Sequence, residues 1–188
     1  ARDGTNTLYA FSLATGKWLW QQAREKPAKF SMAGEGPLYV VSGSLYVGFS
    51  DGAVSCYSLH NDGRIQWTRQ LSDEAKGFND VDTGFAFVRQ YLAVASPSTG
   101  IALLDTRNGK VTTRIPRPNL LSLHKLDGHL LATTTSGDVL RLDPDRNQTI
   151  WRSPFSRDDG APNDLAILGG TVFVTFPRGG LVALNATT

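Results

Sequence analysis

The stretch Asn6–Trp20, NTLYAFSLATGKWLW, decides how the rest of the chain is read. Leu8 and Ala10 alternate with Tyr9 and Phe11, the period-2 pattern of a pleated strand with an inner and an outer face. Ala14-Thr15-Gly16 interrupts the alternation with a residue that tolerates positive φ, and Lys17-Trp18-Leu19-Trp20 returns as the partner strand. The stretch then recurs. Equivalents of Ser12 fall at Ser58 (GAVSCYS), Asp105 (TGIALLD), Asp143 (GDVLRLD) and Asn185 (GGLVALN), roughly 40–50 residues apart. The second strand recurs as RIQW ending at Trp67, KVTT after Gly109, and QTIW ending at Trp151.

Two more apolar runs lie between successive copies, each pair split by a turn. They are Leu38–Val41 with Ser44–Phe49, Phe85–Val88 with Tyr91–Ala95, Leu120–Leu126 with His129–Thr133, and Asp164–Leu168 with Thr171–Phe176. No segment carries a helical stripe. Each period therefore holds four short antiparallel strands, a to d, which is the pattern of a β-propeller blade; a solenoid of this period would need helices or single strands. The expected organisation is all-β: a c–d pair over 6–23, blades over about 37–71, 84–115 and 120–153, and a partial blade over 164–185. Closing these strands on themselves leaves one strand too many, so a segment of a larger ring is expected.

Composition narrows the function classes. With 40% hydrophobic residues, 19 Gly and 9 Pro, the chain is an ordered, turn-rich domain with ample core. A net charge of +2 from scattered Lys and Arg gives no basic patch for nucleic acid. The longest apolar run is too short to cross a membrane as a helix. A lone Cys56 excludes an internal disulfide.

The copies GDVLRLDPDRNQTIW, NTLYAFSLATGKWLW and the looser GAVSCYSLHNDGRIQW resemble the motif G-x-L-x-A-L-D-x-x-T-G-x-x-x-W. This is the blade signature of PQQ-type, quinoprotein-like propellers, and the resemblance implies part of an eight-bladed ring. It also implies that Trp20, Trp67 and Trp151 dock between neighbouring blades. Two connecting segments are similar to the BamB family of outer-membrane assembly factors. Phe30-Ser31-Met32-Ala33-Gly34-Glu35-Gly36-Pro37 resembles that family's hydrophobic-x-hydrophobic-Arg-Gly-Glu-Ser-Ala-Pro, with Ala33 standing where the family has Arg. Asn79-Asp80-Val81-Asp82-Thr83 resembles its Ser-Asp-Val-Asp-Thr, with Gly84-Phe85 in place of the following Thr-Pro.

In that family the two loops dock a POTRA domain of BamA, the barrel subunit of the BAM machinery. The resemblance therefore implies that Phe30 and Met32 are apolar contacts and that Asp80 and Asp82 are acidic ones. It implies a non-catalytic scaffold without a cofactor at the periplasmic face of the outer membrane. Such a scaffold would be held by an N-terminal lipid anchor outside this sequence and would be able to meet unfolded outer-membrane proteins.

The residues have a reading of their own beside the resemblance. Large apolar side chains on a loop are either tucked under a blade or are interface anchors. Asp80 and Asp82 would point the same way from an extended segment, where they could cap backbone N–H groups, bind a cation or receive Lys or Arg. Enzyme chemistry finds little support. A quinone-dependent dehydrogenase of this fold carries an adjacent Cys pair and a calcium cluster, and this chain has one Cys. His60, His124 and His129 lack metal-ligand spacing, Asp158-Asp159-Gly160 reads as a solvated turn, and no phosphate loop or nucleophile elbow occurs. The alternatives to a BamB-like scaffold are another PQQ-type propeller serving as a sensor or binding domain, and the dehydrogenase.

Overall fold

The computed structural model describes residues 6–24, 38–49, 51–71, 81, 84–155 and 157–187. The chain forms two compact units, one of Ala1–Asp82 with Asp105–Lys110 and one of Thr83–Leu104 with Val111–Thr188. Every strand pairing is antiparallel. Among the described residues there is no α-helix. One turn of 3-10 helix covers Arg157–Asp159, where the sequence reads as a simple turn.

In the first unit, β1 (Leu8–Phe11) and β2 (Trp18–Gln22) pair as a hairpin. The strands β3 (Leu38–Val41), β4 (Ser44–Gly48), β5 (Ala53–Ser58) and β6 (Ile65–Gln70) follow in order across one sheet. The c–d turns repeat their hydrogen bonding: Ser12 N–H donates to Lys17 O and Gly16 N–H to Ser12 O, as Ser58 N–H does to Arg64 O and Gly63 N–H to Ser58 O. Each of these strand pairs also shifts register beside the turn, between Ala10 and Phe11 and between Cys56 and Tyr57. A bulge there bends the outer strand and adds twist. Leu8, Leu45, Val47, Phe49, Ala53 and Tyr57 pack as one core with Trp20 against it.

The second unit holds three sheets. The first contains β7 (Gly84–Val88), β8 (Tyr91–Ser96), β9 (Gly100–Asp105) and β10 (Val111–Ile115). The second contains β11 (Leu120–Leu126), β12 (His129–Thr134), β13 (Val139–Asp143) and β14 (Gln148–Ser153). The third contains β15 (Asp164–Leu168), β16 (Thr171–Phe176) and β17 (Gly180–Asn185). At the β11–β12 turn, Asp127 and Gly128 have φ of 46° and 78°, the pair of positive values that a tight hairpin turn needs.

The middle sheet is buried on both faces, and its alternation shows how. Leu130, Ala132, Leu140 and Leu142 join Ala93, Ile101 and Leu103 of the preceding sheet in one cluster. Leu131 and Val139, one residue out of phase, join Leu165, Val172, Val174 and Phe176 of the following sheet in another. A period-2 strand buried on both sides reads as a continuous apolar run, and this explains VLRLD and HLLATT. Sheets stacked face to face with short connections are propeller blades.

Candidate interaction surface

The tryptophans at the outer strands share one kind of seat. Trp67 is buried, its indole Nε1–H donates to Thr106 O at 2.9 Å, and Gly109 lies against its ring. Trp20, half-buried, lies against Gly63 in the same way, and Gln22 Nε2 donates to Asp62 O at 3.2 Å. In both cases an aromatic residue of strand d meets the glycine of a c–d turn, where no side chain intervenes. Trp151 is half-buried and donates to Ala186 O at 3.1 Å.

Arg141 stands directly across from Trp151, the position that Ala10 holds across from Trp20 and Cys56 across from Trp67. Its guanidinium reaches the same acceptor, Ala186 O, at 2.6 Å, and donates to His129 Nδ1 at 3.0 Å. Guanidinium nitrogens only donate, so the His129 proton sits on Nε2. Arg141 is 9% exposed, its Nε has no partner, and among the described residues no carboxylate pairs with it. Sequence reading missed this residue, although a lone arginine at the small-residue position of an apolar run was the available sign.

Other buried polar groups are quiet chemically. Burial pushes the Cys56 thiol above its usual range, against hydrogen bonds from Ser44 and Tyr46, so it is a poor nucleophile. Tyr46 is pushed up to about 12, first by burial and then by Cys56. His124, with a buried and unpartnered Nε2, is lowered by burial, partly opposed by the charge of Asp164. Among the described residues no three His, Cys, Asp or Glu side chains gather to hold a metal.

Of the residues expected at a partner interface, Phe30, Met32, Asp80 and Asp82 lie outside the described residues. The residues flanking those segments are described, and they converge. Arg24 forms a two-pronged ion pair with Asp51, at 2.5 and 3.2 Å, and its guanidinium lies 4.3 Å from the centre of the Phe49 ring. Leu71 N–H donates to Gly52 O at 3.0 Å, and Val81 N–H to Phe49 O at 3.3 Å. Asp51 Oδ1 also accepts from Ala53 N–H at 3.0 Å. The single turn between β4 and β5 thus anchors the chain just before segment 25–37 and on both sides of segment 72–80. A bidentate, partly buried arginine pair is a more rigid tie than an exposed lysine contact.

Four-stranded blades in sequence order, with strand-d tryptophans seated on c–d turns, define a PQQ-type β-propeller fold. A family model described as outer membrane protein assembly factor BamB matches residues 1–153, and the chain belongs to that family. Comparison with curated proteins gave no match. Among solved structures, the chain is similar to BamB from Moraxella catarrhalis, with a TM-score of 0.77 and 21% identity over 97% of this chain and 56% of that one. It is also similar to the computationally designed Ika8 protein, with a TM-score of 0.76 and 15% identity over 98% and 54% of the two chains. A third similar structure, Saccharomyces cerevisiae Sqt1, has a TM-score of 0.79 and 14% identity over 96% and 53%. What is shared at these identities is the fold, and the chain spans about half the length of each of these three structures.

Proposed function

We propose that the protein is a non-catalytic scaffold of the outer-membrane β-barrel assembly machinery, docking a POTRA domain of BamA through segments 30–37 and 79–83. The family match over residues 1–153 carries this reading. The convergence of Arg24, Leu71 and Val81 on the turn at Asp51 supports it, because it brings the chain just before segment 25–37 and on both sides of segment 72–80 to one place. Phe30 and Met32 then supply apolar anchors, while Asp80 and Asp82 supply charge for a basic partner surface. The scaffold works at the periplasmic face of the outer membrane, held there by a lipid anchor, and the same ring can meet unfolded barrel substrates. Ala33, in place of the family's Arg, leaves the interface more apolar and more acidic.

Buried apolar anchors set residence time, whereas peripheral charge sets association rate and orientation. The test is binding of the intact protein to an immobilised BamA periplasmic region at two ionic strengths. Phe30→Ala or Met32→Ala speeds dissociation at least fivefold. Asp80→Ala with Asp82→Ala slows association and flattens its salt dependence. Unchanged rate constants in all of these variants would overturn the docking site.

A further inference from the structure

The second unit carries two adjoining grooves that none of these roles uses. One, of about 330 Å³, lies beside the β10–β11 connection and is lined by Arg117, Asp138, Thr149 and Arg152. The other, of about 410 Å³, is lined by Thr135, Ser136, Gly160 and Ala161. Asn119 borders both, as does Ser136, so the grooves run into each other. Each volume falls within the range of ligand sites in proteins.

The first groove is rigid and cationic. Pro116 and Pro118 flank Arg117, fixing φ on both sides and removing two N–H donors, so the connection cannot pair as a strand. Asn119 N–H donates to Pro97 O at 2.8 Å and Asn119 O accepts from Thr135 N–H at 2.9 Å, pinning the connection between two turns. Gly100 completes the clamp: a Cβ there would stand 2.4 Å from Ile115 O and 2.5 Å from Arg117 N. Arg117 spends one terminal nitrogen on Thr149 Oγ1 at 3.1 Å. Arg152 gives Nε to Asp138 Oδ1 at 2.8 Å.

Asp138 is already spent. Its other oxygen accepts from Ser136 Oγ at 2.9 Å. Burial raises its affinity for a proton, but Arg152 and the hydroxyls outweigh burial and hold it ionised. The groove lining therefore holds two guanidinium groups and one carboxylate, the carboxylate engaged by Arg152, which leaves an excess of one positive charge and several planar donors. The second groove is lined by the Thr135 hydroxyl, the Asn119 amide and the Ser136 oxygen, which gives its proton to Asp138 but can still accept; these uncharged groups suit a peptide backbone.

We propose that the joined grooves bind an extended segment of a partner protein, with an Asp or Glu side chain seated between Arg117 and Arg152. Guanidinium pairs match carboxylate geometry in a way lysines do not. Because the connection is already ordered, little conformational entropy is lost on binding.

The test uses the intact, ¹⁵N-labelled protein and three probes: the blocked peptide acetyl-Gly-Ser-Glu-Ser-Gly-amide, its Glu→Gln version, and N-acetylglutamate. The Glu peptide is expected to shift amide signals of residues 117, 119, 135, 136 and 152, with affinity at least tenfold above the Gln peptide. Its affinity falls at least tenfold in Arg117→Gln, while the docking rates tested above do not change. Equal binding of the Glu and Gln peptides, shifts elsewhere, or insensitivity to Arg117→Gln would each overturn the proposal. So would N-acetylglutamate binding as tightly as the Glu peptide, which would make the groove a site for small carboxylates only.

Discussion

Trp67 lies against Gly109 so closely that a Cβ on the glycine would stand 2.4 Å from Cε3 of the indole. Gly109 also has φ of +68°, a conformation side chains disfavour. Both constraints act on one residue, and Gly109→Ala separates from a purely conformational change by comparison with Gly169. Gly169 has φ of +55° with no atom within 4 Å of its Cβ position. Gly169→Ala is expected to cost about 1 kcal/mol, the left-handed penalty alone. Gly109→Ala is expected to cost about 1–3 kcal/mol more, because the turn must leave the indole. Urea denaturation of the intact protein measures both, and equal losses would mean that the indole seat contributes nothing.

Trp67 itself separates packing from hydrogen bonding. Trp67→Ala is expected to cost about 3–5 kcal/mol, as a large buried aromatic replaced by a void. Trp67→Phe keeps much of the apolar contact but leaves Thr106 O without its indole donor, at about 1–2 kcal/mol. A Phe variant as unstable as the Ala variant would show that the hydrogen bond, not the area, carries the seat.

The blade repeat was legible because two local signals recur along the chain. Alternation marks strand c in each copy; a turn glycine followed by a tryptophan marks strand d at Gly16–Trp20 and Gly63–Trp67, while the later copies keep only one of the two, Gly109 before KVTT and Trp151 after a turn at Asn147. Strand ends were less legible. The sequence places the last strand of the first full blade at Arg64–Trp67, whereas β6 runs Ile65–Gln70, because pairing of Val54 with Arg69 and Ala53 with Gln70 extends a polar tail that carries no alternation. The Arg24–Asp51 tie was invisible for a different reason: it joins residues far apart in the chain, and neither lies in an apolar pattern. Arg117 between two prolines reads as an ordinary loop until the turns at Pro97 and Thr135 are seen to clamp it.

Arg141 offers a test of what a buried charge contributes. Of its three guanidinium nitrogens, two meet neutral acceptors and the third, Nε, meets none. Desolvation of a cation without a carboxylate offsets the strength of its bonds to Ala186 O and His129. Arg141→Met, of similar length and apolar, is therefore expected to change stability by less than about 1 kcal/mol in either direction. Arg141→Glu places an acceptor against the Ala186 carbonyl and is expected to cost more than about 3 kcal/mol. A loss of that size in Arg141→Met would mean that the hydrogen bonds outweigh desolvation.

His124 sets an acid limit on stability. It sits on β11 opposite Leu131, its Nε2 is buried without a partner, and burial lowers its affinity for a proton below the ordinary value near 6.5. Asp164, at the start of β15, is the charged group that opposes this shift. In the unfolded chain the imidazole binds a proton as pH falls through about 6.5, while in the folded protein it still resists. The unfolded state thus holds more protons in that window, and stability falls as pH drops from 6.5 toward the lower folded value. Above pH 6.5 neither state is protonated, so the contribution is fully present there. His124→Leu removes the titrating group, so its denaturation midpoint is expected to change less between pH 7 and pH 5 than that of the wild type. The comparison is made by urea denaturation at half-unit pH steps on both proteins, with the position of the His124 ring signals followed in the wild type. Identical pH slopes for the two proteins would place the acid sensitivity elsewhere and leave the buried Nε2 of His124 without energetic consequence.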